Sequence, residues 1–243
     1  FLTKPLEMDE LEFVISKVLK TFKKENEENA EKERLKKLLN QSMPLLKNKF
    51  FTDLINGDLD MKIIDENLAY FDIRLNLRHY IAIVSEVDNY EELRKTKSRE
   101  ELYIMELQLL EIMDACKGDN TVINFHISQA KYCSIYNTDV LSLMELYQKL
   151  MDFTKKIQKK VNDSMGIEIT IGIGKAVNRL TDLKTAYKRA CEAVEYKFYM
   201  GGNQIINCND INSSMSNNNL ADMDIEEIER KIVSSIELCN YET

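Results

Sequence analysis

ITIGIGKAVNRLTDLKTAYKRACEAVEYKFYMGGNQII, residues 169–206, sets a strand, a helix, a turn and a second strand in one run. With Ile167 and Glu168 ahead of it, the segment Ile167–Val177 alternates apolar and other residues, the period of a half-buried strand. Residues Asp182–Met200 then predict a helix, Gly201-Gly202-Asn203 a turn, and Gln204–Cys208 a closing strand. Gly172 and Gly174 have neither the third glycine of GxGxxG nor a GK[ST] ending. Their expected task is close packing of strand against helix, not the cradling of a phosphate.

Upstream, Val140–Ser164 predicts a helix with Leu143, Leu146, Tyr147, Leu150, Phe153 and Ile157 on one face, closed by Met165-Gly166. Thr121–Ile127 and Tyr132–Tyr136 read as two strands joined by the polar tip Ser128-Gln129-Ala130-Lys131, a hairpin. Before it, residues Tyr90–Cys116 predict a charged amphipathic helix ending at the Gly118-Asp119-Asn120 turn. His79–Val87, HYIAIVSEV, predicts another strand. The resulting order is β-α-β-β-α-β-α-β. Its first six elements are the ferredoxin-like split order, so the expected class is α+β, an antiparallel sheet with helices packed on one face.

The N-terminal part has a different rhythm. The chain has two prolines and seven glycines, which favours long helices. Leu11, Val14, Ile15, Val18, Leu19 and Phe22 form one apolar stripe over Glu7–Phe22. The run KKENEENAEKER, residues 23–34, is almost wholly charged. Leu35, Leu39, Ser42, Leu46 and Lys49/Phe50 then recur at threes and fours, a coiled-coil spacing with Leu35, Leu39 and Leu46 as the dimer seam. Projected backwards, that seam carries Glu25, Glu28 and Lys32 and pairs weakly, so a long solvated linker helix is the other reading. Asn56-Gly57-Asp58 ends it, and Met61–Phe71 predicts a short helix. Beyond the closing strand, residues 209–222 are rich in Asn and Ser, a linker composition, and Ile225, Ile228, Ile232, Val233 and Ile236 begin a new amphipathic helix.

A formal net charge of −8 and a pI near 5.1 over 243 residues argue against this segment gripping nucleic acid, because that grip comes from clustered Lys and Arg. The five cysteines, Cys116, Cys133, Cys191, Cys208 and Cys239, are odd in number and scattered. They predict reduced thiols, with Cys116 and Cys191 serving as small apolar residues. No stretch approaches a membrane span, and the N-terminus lacks a signal-peptide pattern. The expectation is a soluble, cytoplasmic segment of a longer protein, with no membrane partner. His79 and His126 have no nucleophile set around them, and the eleven methionines read as core filling.

Two stretches carry a resemblance. Phe1-Leu2-Thr3-Lys4-Pro5-Leu6 followed by an apolar helix resembles the end of a receiver domain, its last strand with the switch lysine and adjoining proline. Residues 169–206 are similar to the closing part of GGDEF domains, with Ala193-Val194 in place of an Ala-Leu pair and Gly201 and Asn203 at the matching distance. The phrases QSMPLLKNKFF (41–51), EVDNY (86–90) and TAYKRACEAVEYKFYMGGNQII resemble, in this order, the middle of YesN-type response regulators with an AraC-type helix-turn-helix.

That resemblance implies four parts. These are residues 1–22 as the last piece of a receiver domain, with Lys4 and Pro5 its switch remnant; 23–77 as linker helix; 78–211 as a degenerate GGDEF-like domain; and 212–243 as the lead-in to a DNA-binding domain. It also implies a bacterial two-component signal relay. A sensor histidine kinase would act through the complete receiver, DNA would be met only through the C-terminal domain, and the protein would be a homodimer. Glu86 and Asp88 fall where the family has its metal-binding Asp-x-Asp, so they are candidates for Mg²⁺. The alternative is a strand-end turn with Asp88 capping the next helix. The tip Ser128–Lys131 has neither the glycine pair nor the acidic pair of an active cyclase. The expectation is therefore no catalysis and no cofactor, with a divergent nucleotide-binding or cyclase-like domain using Glu86 and Asp88 as the alternative.

Overall fold

The computed structural model describes residues 8–118 and 121–211. Lys4, Pro5, Cys239 and the apolar stripe of 225–236 lie outside them. The chain forms two compact units that part between Lys49 and Phe50.

Helix α1, Met8–Asn56, runs for 49 residues. It passes through the charged run 23–34 and past Pro44, whose ring cannot supply a hydrogen bond to the preceding turn. It stops at Gly57, which takes the left-handed φ of 76°. In the first unit Leu35, Leu39 and Leu46 lie 43–52% exposed, and neighbouring Leu38 and Leu45 are exposed as well. The last turns of α1 belong to the second unit. Phe50, Phe51, Leu54 and Ile55 are buried there, so the segment read as linker supplies part of a core. Helix α2, Met61–Tyr70, is N-capped by the Asp60 side chain, which accepts from the Ile63 N–H at 2.9 Å.

The remaining elements follow in order: β1 His79–Val87, α3 Tyr90–Thr96, α4 Arg99–Ala115, β2 Thr121–Ser128, β3 Lys131–Thr138, α5 Leu143–Met165, β4 Ile169–Ile173, α6 Leu183–Glu195, α7 Lys197–Met200 and β5 Ile205–Asn207. The sheet order is β2-β3-β1-β4-β5. The first four strands pair antiparallel in the ferredoxin-like manner, and the α+β class stands. Two expectations need correction. Strand β5 lies parallel to β4, which makes the sheet mixed, and helices cover both faces.

The two faces follow from strand alternation. Ile81, Ile83 and Val87 of β1 and Ile169, Ile171 and Ile173 of β4 pack under α4 and α5, against Leu109, Met113, Leu150 and Ile157. Tyr80 and Ala82 turn the other way, to Phe51, Ile64, Leu183 and Ala186, and Val84 to Ala190 and Val194 of α6. Helix α6 lies so close to β4 that a Cβ on Gly172 would sit 2.2 Å from the Ala190 carbonyl oxygen, and one on Gly174 2.1 Å from that of Ala186. The glycines are thus packing residues, as their spacing predicted.

Other boundaries shift for local reasons. The stretch read as one helix over Tyr90–Cys116 breaks at Lys97-Ser98. There Ser98 and Glu101 form a reciprocal capping box, two orphan amide groups satisfied at once. Strand β4 ends at Ile173, and Val177 rejoins the sheet only through a bridge to Tyr80. The predicted helix Asp182–Met200 divides into a 3₁₀ turn, α6 and α7.

Candidate functional site

The ends of β1, β3 and β4 place three polar residues side by side. In register, Glu86 faces Lys131 on one neighbour and Thr170 on the other, all on the α6 side of the sheet. Asp88 follows two residues later with the same orientation. Helix α6, seated on the glycines of β4, carries its C-terminal end over these strand ends. The chain turns at Tyr196 into α7 and delivers Lys197 on top of the row.

The contacts form one network. The Lys197 ammonium donates to Glu86 Oε1 at 2.9 Å and to Asp88 Oδ1 at 3.1 Å. Lys131 Nζ lies 3.0 Å from Glu86 Oε2. The Thr170 hydroxyl lies 2.8 and 2.9 Å from the two oxygens of Asp88, and the Asn203 backbone N–H donates to Asp88 Oδ2 at 2.7 Å. The carboxylates are 18% and 12% exposed, so these pairs are shielded from solvent on most sides. Burial alone would pull the Lys197 ammonium down; hydrogen bonds and charge from Glu86 and Asp88 outweigh it, and the group stands above its ordinary value.

The turn that brings Asn203 in is specific. Asn203 adopts a φ of 58°, a conformation that Asn tolerates. A Cβ on Gly202 would lie 3.0 Å from the Asp88 carboxyl. Asp88 does not cap the next helix: Asn89 is at the N-cap of α3, with no side-chain bond to that helix.

Sequence reasoning found Glu86 and Asp88 but not the residues that hold them. Lys131 was visible only as part of a hairpin tip, and Thr170 and Lys197 only as members of a strand and a helix. A hard cation needs free carboxylate oxygens around it. All four oxygens of Glu86 and Asp88 already have protein partners, two of which are cations, and this donor set does not fit Mg²⁺. Among the described residues no group of three or more His, Cys, Asp or Glu side chains could hold a metal.

Next to the hairpin tip, Tyr90, Arg94, Lys97, Arg99, Tyr103 and Gln129 line a cavity of about 320 Å³. The Tyr90 hydroxyl donates to Glu106 at 3.2 Å on its wall. His79 pairs with Asn178 at 2.8 Å, and the His126 ring meets Tyr132 edge-on. Burial pushes the Cys116 and Cys191 thiols up, which suits the apolar role expected of them. Among the described residues no helix is long and apolar enough to cross a membrane.

Several known proteins are similar. A stretch of 176 residues, 71% of this chain, is 23% identical to an uncharacterized HTH-type transcriptional regulator, YtdP, of Bacillus subtilis; the chain spans 22% of that relative's length. The coiled coil and GGDEF domain of DgcB from Caulobacter crescentus, in complex with c-di-GMP, superposes with a TM-score of 0.49 at 14% identity, covering 77% of this chain and 98% of that one. The active GGEEF domain of a diguanylate cyclase from Vibrio cholerae gives 0.45 at 9% identity, over 59% and 88%. Residues 85–215 match the family described as cyclic-di-AMP phosphodiesterase GdpP-like, GGDEF domain, and with more than half of its length inside that match the chain belongs to this GGDEF-domain family.

Proposed function

We propose that this chain is a non-catalytic sensing and relay segment of a bacterial two-component transcription regulator, joining a receiver domain to an AraC-type DNA-binding domain. The observation that carries the reading is helix α1. It is a single 49-residue element with a row of exposed leucines, and its last turns are fixed in the core of the GGDEF-like domain by Phe50, Phe51, Leu54 and Ile55. Leu35, Leu39 and Leu46 keep the spacing of a coiled-coil seam. A homodimer through that seam is marginal, because Glu25, Glu28 and Lys32 interrupt it, and a marginal interface responds to a small bias from phosphorylation or ligand. The weak likeness to an HTH-type regulator agrees with this setting, as does the acidic charge, which leaves DNA contact to another domain.

The absence of catalysis is supported by the occupied carboxylates and by the tip Ser128–Lys131. Light scattering across a concentration series tests the relay. A dimer that becomes a monomer on Leu39→Lys with Leu46→Lys supports it; a dimer unchanged by both substitutions refutes the seam.

A second reading is favoured by the cavity at Tyr90, Arg94, Lys97, Arg99 and Tyr103. Three cations against the single carboxylate of Glu106, with two aromatic rings, suit an anionic aromatic ligand such as a nucleotide, bound without the help of Glu86 and Asp88. Loss of a nucleotide-induced thermal shift in Arg94→Ala would support it, and GTP turnover abolished by Asp88→Ala would restore the cyclase alternative.

A further inference from the structure

We infer that Lys197 and Lys131 stand where a divalent cation would otherwise sit, and turn the carboxylate pair at the end of β1 into a metal-free clamp. The charges balance. Glu86 and Asp88 bring two negative charges, and the two ammonium groups bring two positive ones at 2.9–3.1 Å. The coordination is likewise complete, since each of the four carboxylate oxygens meets an N–H or O–H donor. A divalent ion entering here would have to displace Lys197 and leave two like charges side by side, which is unfavourable in a partly buried setting.

The clamp also has a mechanical consequence. Lys131 is the first residue of β3 at the hairpin tip, Lys197 opens α7, and Asn203 ends the turn into β5. Three segments far apart in sequence are therefore tied to one strand end, each by a bond to Glu86 or Asp88. Here the chain's own cations and a backbone N–H make these ties with no ion between them. Thr170 holds the orientation of Asp88 by donating to it from the neighbouring strand, and is a positioning residue.

The test uses the full chain and Mn²⁺ as the probe, read by paramagnetic broadening of backbone amide signals and by thermal unfolding with and without the ion. In the unaltered chain, millimolar Mn²⁺ is expected to leave the amides of Glu86, Asp88, Thr170 and Asn203 sharp and the unfolding midpoint unmoved. In Lys131→Met with Lys197→Met, the freed carboxylates are expected to bind it. Those amides then broaden, and the midpoint rises by roughly 5–10 °C at a hundredfold excess over the dissociation constant. Asp88→Asn in that background abolishes both effects. Should the double variant fail to fold, Lys197→Met alone gives the same reading, since it leaves Asp88 with only Thr170 and Asn203. Broadening of these amides in the unaltered chain that disappears with Asp88→Asn overturns the inference. So does a folded lysine variant that ignores Mn²⁺.

Discussion

Replacing Gly172 by alanine probes the contact on which the whole site rests. The added Cβ would stand 2.2 Å from the Ala190 carbonyl oxygen, 2.8 Å from a Val194 methyl and 2.9 Å from the Val194 nitrogen, where real Cβ contacts below 3.0 Å essentially never occur. Two of these three neighbours are backbone, so rotating the Val194 side chain cannot relieve the clash, and α6 must retreat from β4 by roughly 0.8 Å or more. Overpacking of a well-filled core costs about 1–3 kcal/mol, and a clash with main chain belongs at the upper end, about 3 kcal/mol. For a domain of this size that is a fall in Tm of roughly 6–12 °C. Urea unfolding at constant m-value, followed by circular dichroism, gives the figure directly. Because α6 leads through Tyr196 into α7, which begins with Lys197, the same shift should also loosen the clamp on Asp88, visible as changed amide signals at Asp88 and Asn203. A Gly172→Ala protein within about 0.5 kcal/mol of the parent would refute the packing argument.

Two further outcomes are expected. Ser98→Ala removes one half of the capping box that starts α4 and should cost about 1 kcal/mol, measured by the same unfolding curves; no change would mean that the helix start is held by packing alone. Alkaline stability should fall steadily. Burial raises Cys133, Tyr132 and Tyr187 above their ordinary values, so each is protonated in the folded chain at a pH where the unfolded chain has lost the proton. That stability is complete below the unfolded values, about 8.5 for Cys and 10 for Tyr. It declines above them by about 1.4 kcal/mol per pH unit for each group. A midpoint flat from pH 8 to about pH 11 would contradict this assignment.

Much of the architecture was legible because it is written in local periodicity. The apolar run HYIAIVSEV predicted β1 at the bounds it takes, and Asn56-Gly57-Asp58 marked the end of α1 because a left-handed residue there favours glycine. The break at Ser98 was legible too, in Ser-x-x-Glu spacing, but charged helical periodicity on both sides concealed it. Gly172 and Gly174 announced close packing, though not which helix would press on them.

The sequence by itself determined the order of strands and helices, the long N-terminal helix and the pair Glu86 and Asp88 at a strand end, since each depends on residues a few positions apart. Only the tertiary structure decided that the fifth strand lies parallel, that helices cover both faces, and that Lys131, Thr170, Lys197 and Asn203 converge on the two carboxylates. The contacts to the two carboxylates join residues from 45 to 115 positions apart along the chain. Side-chain charge acts through space over a few ångströms, and no periodicity in a one-dimensional text records which distant lysine the packing of α6 will bring there.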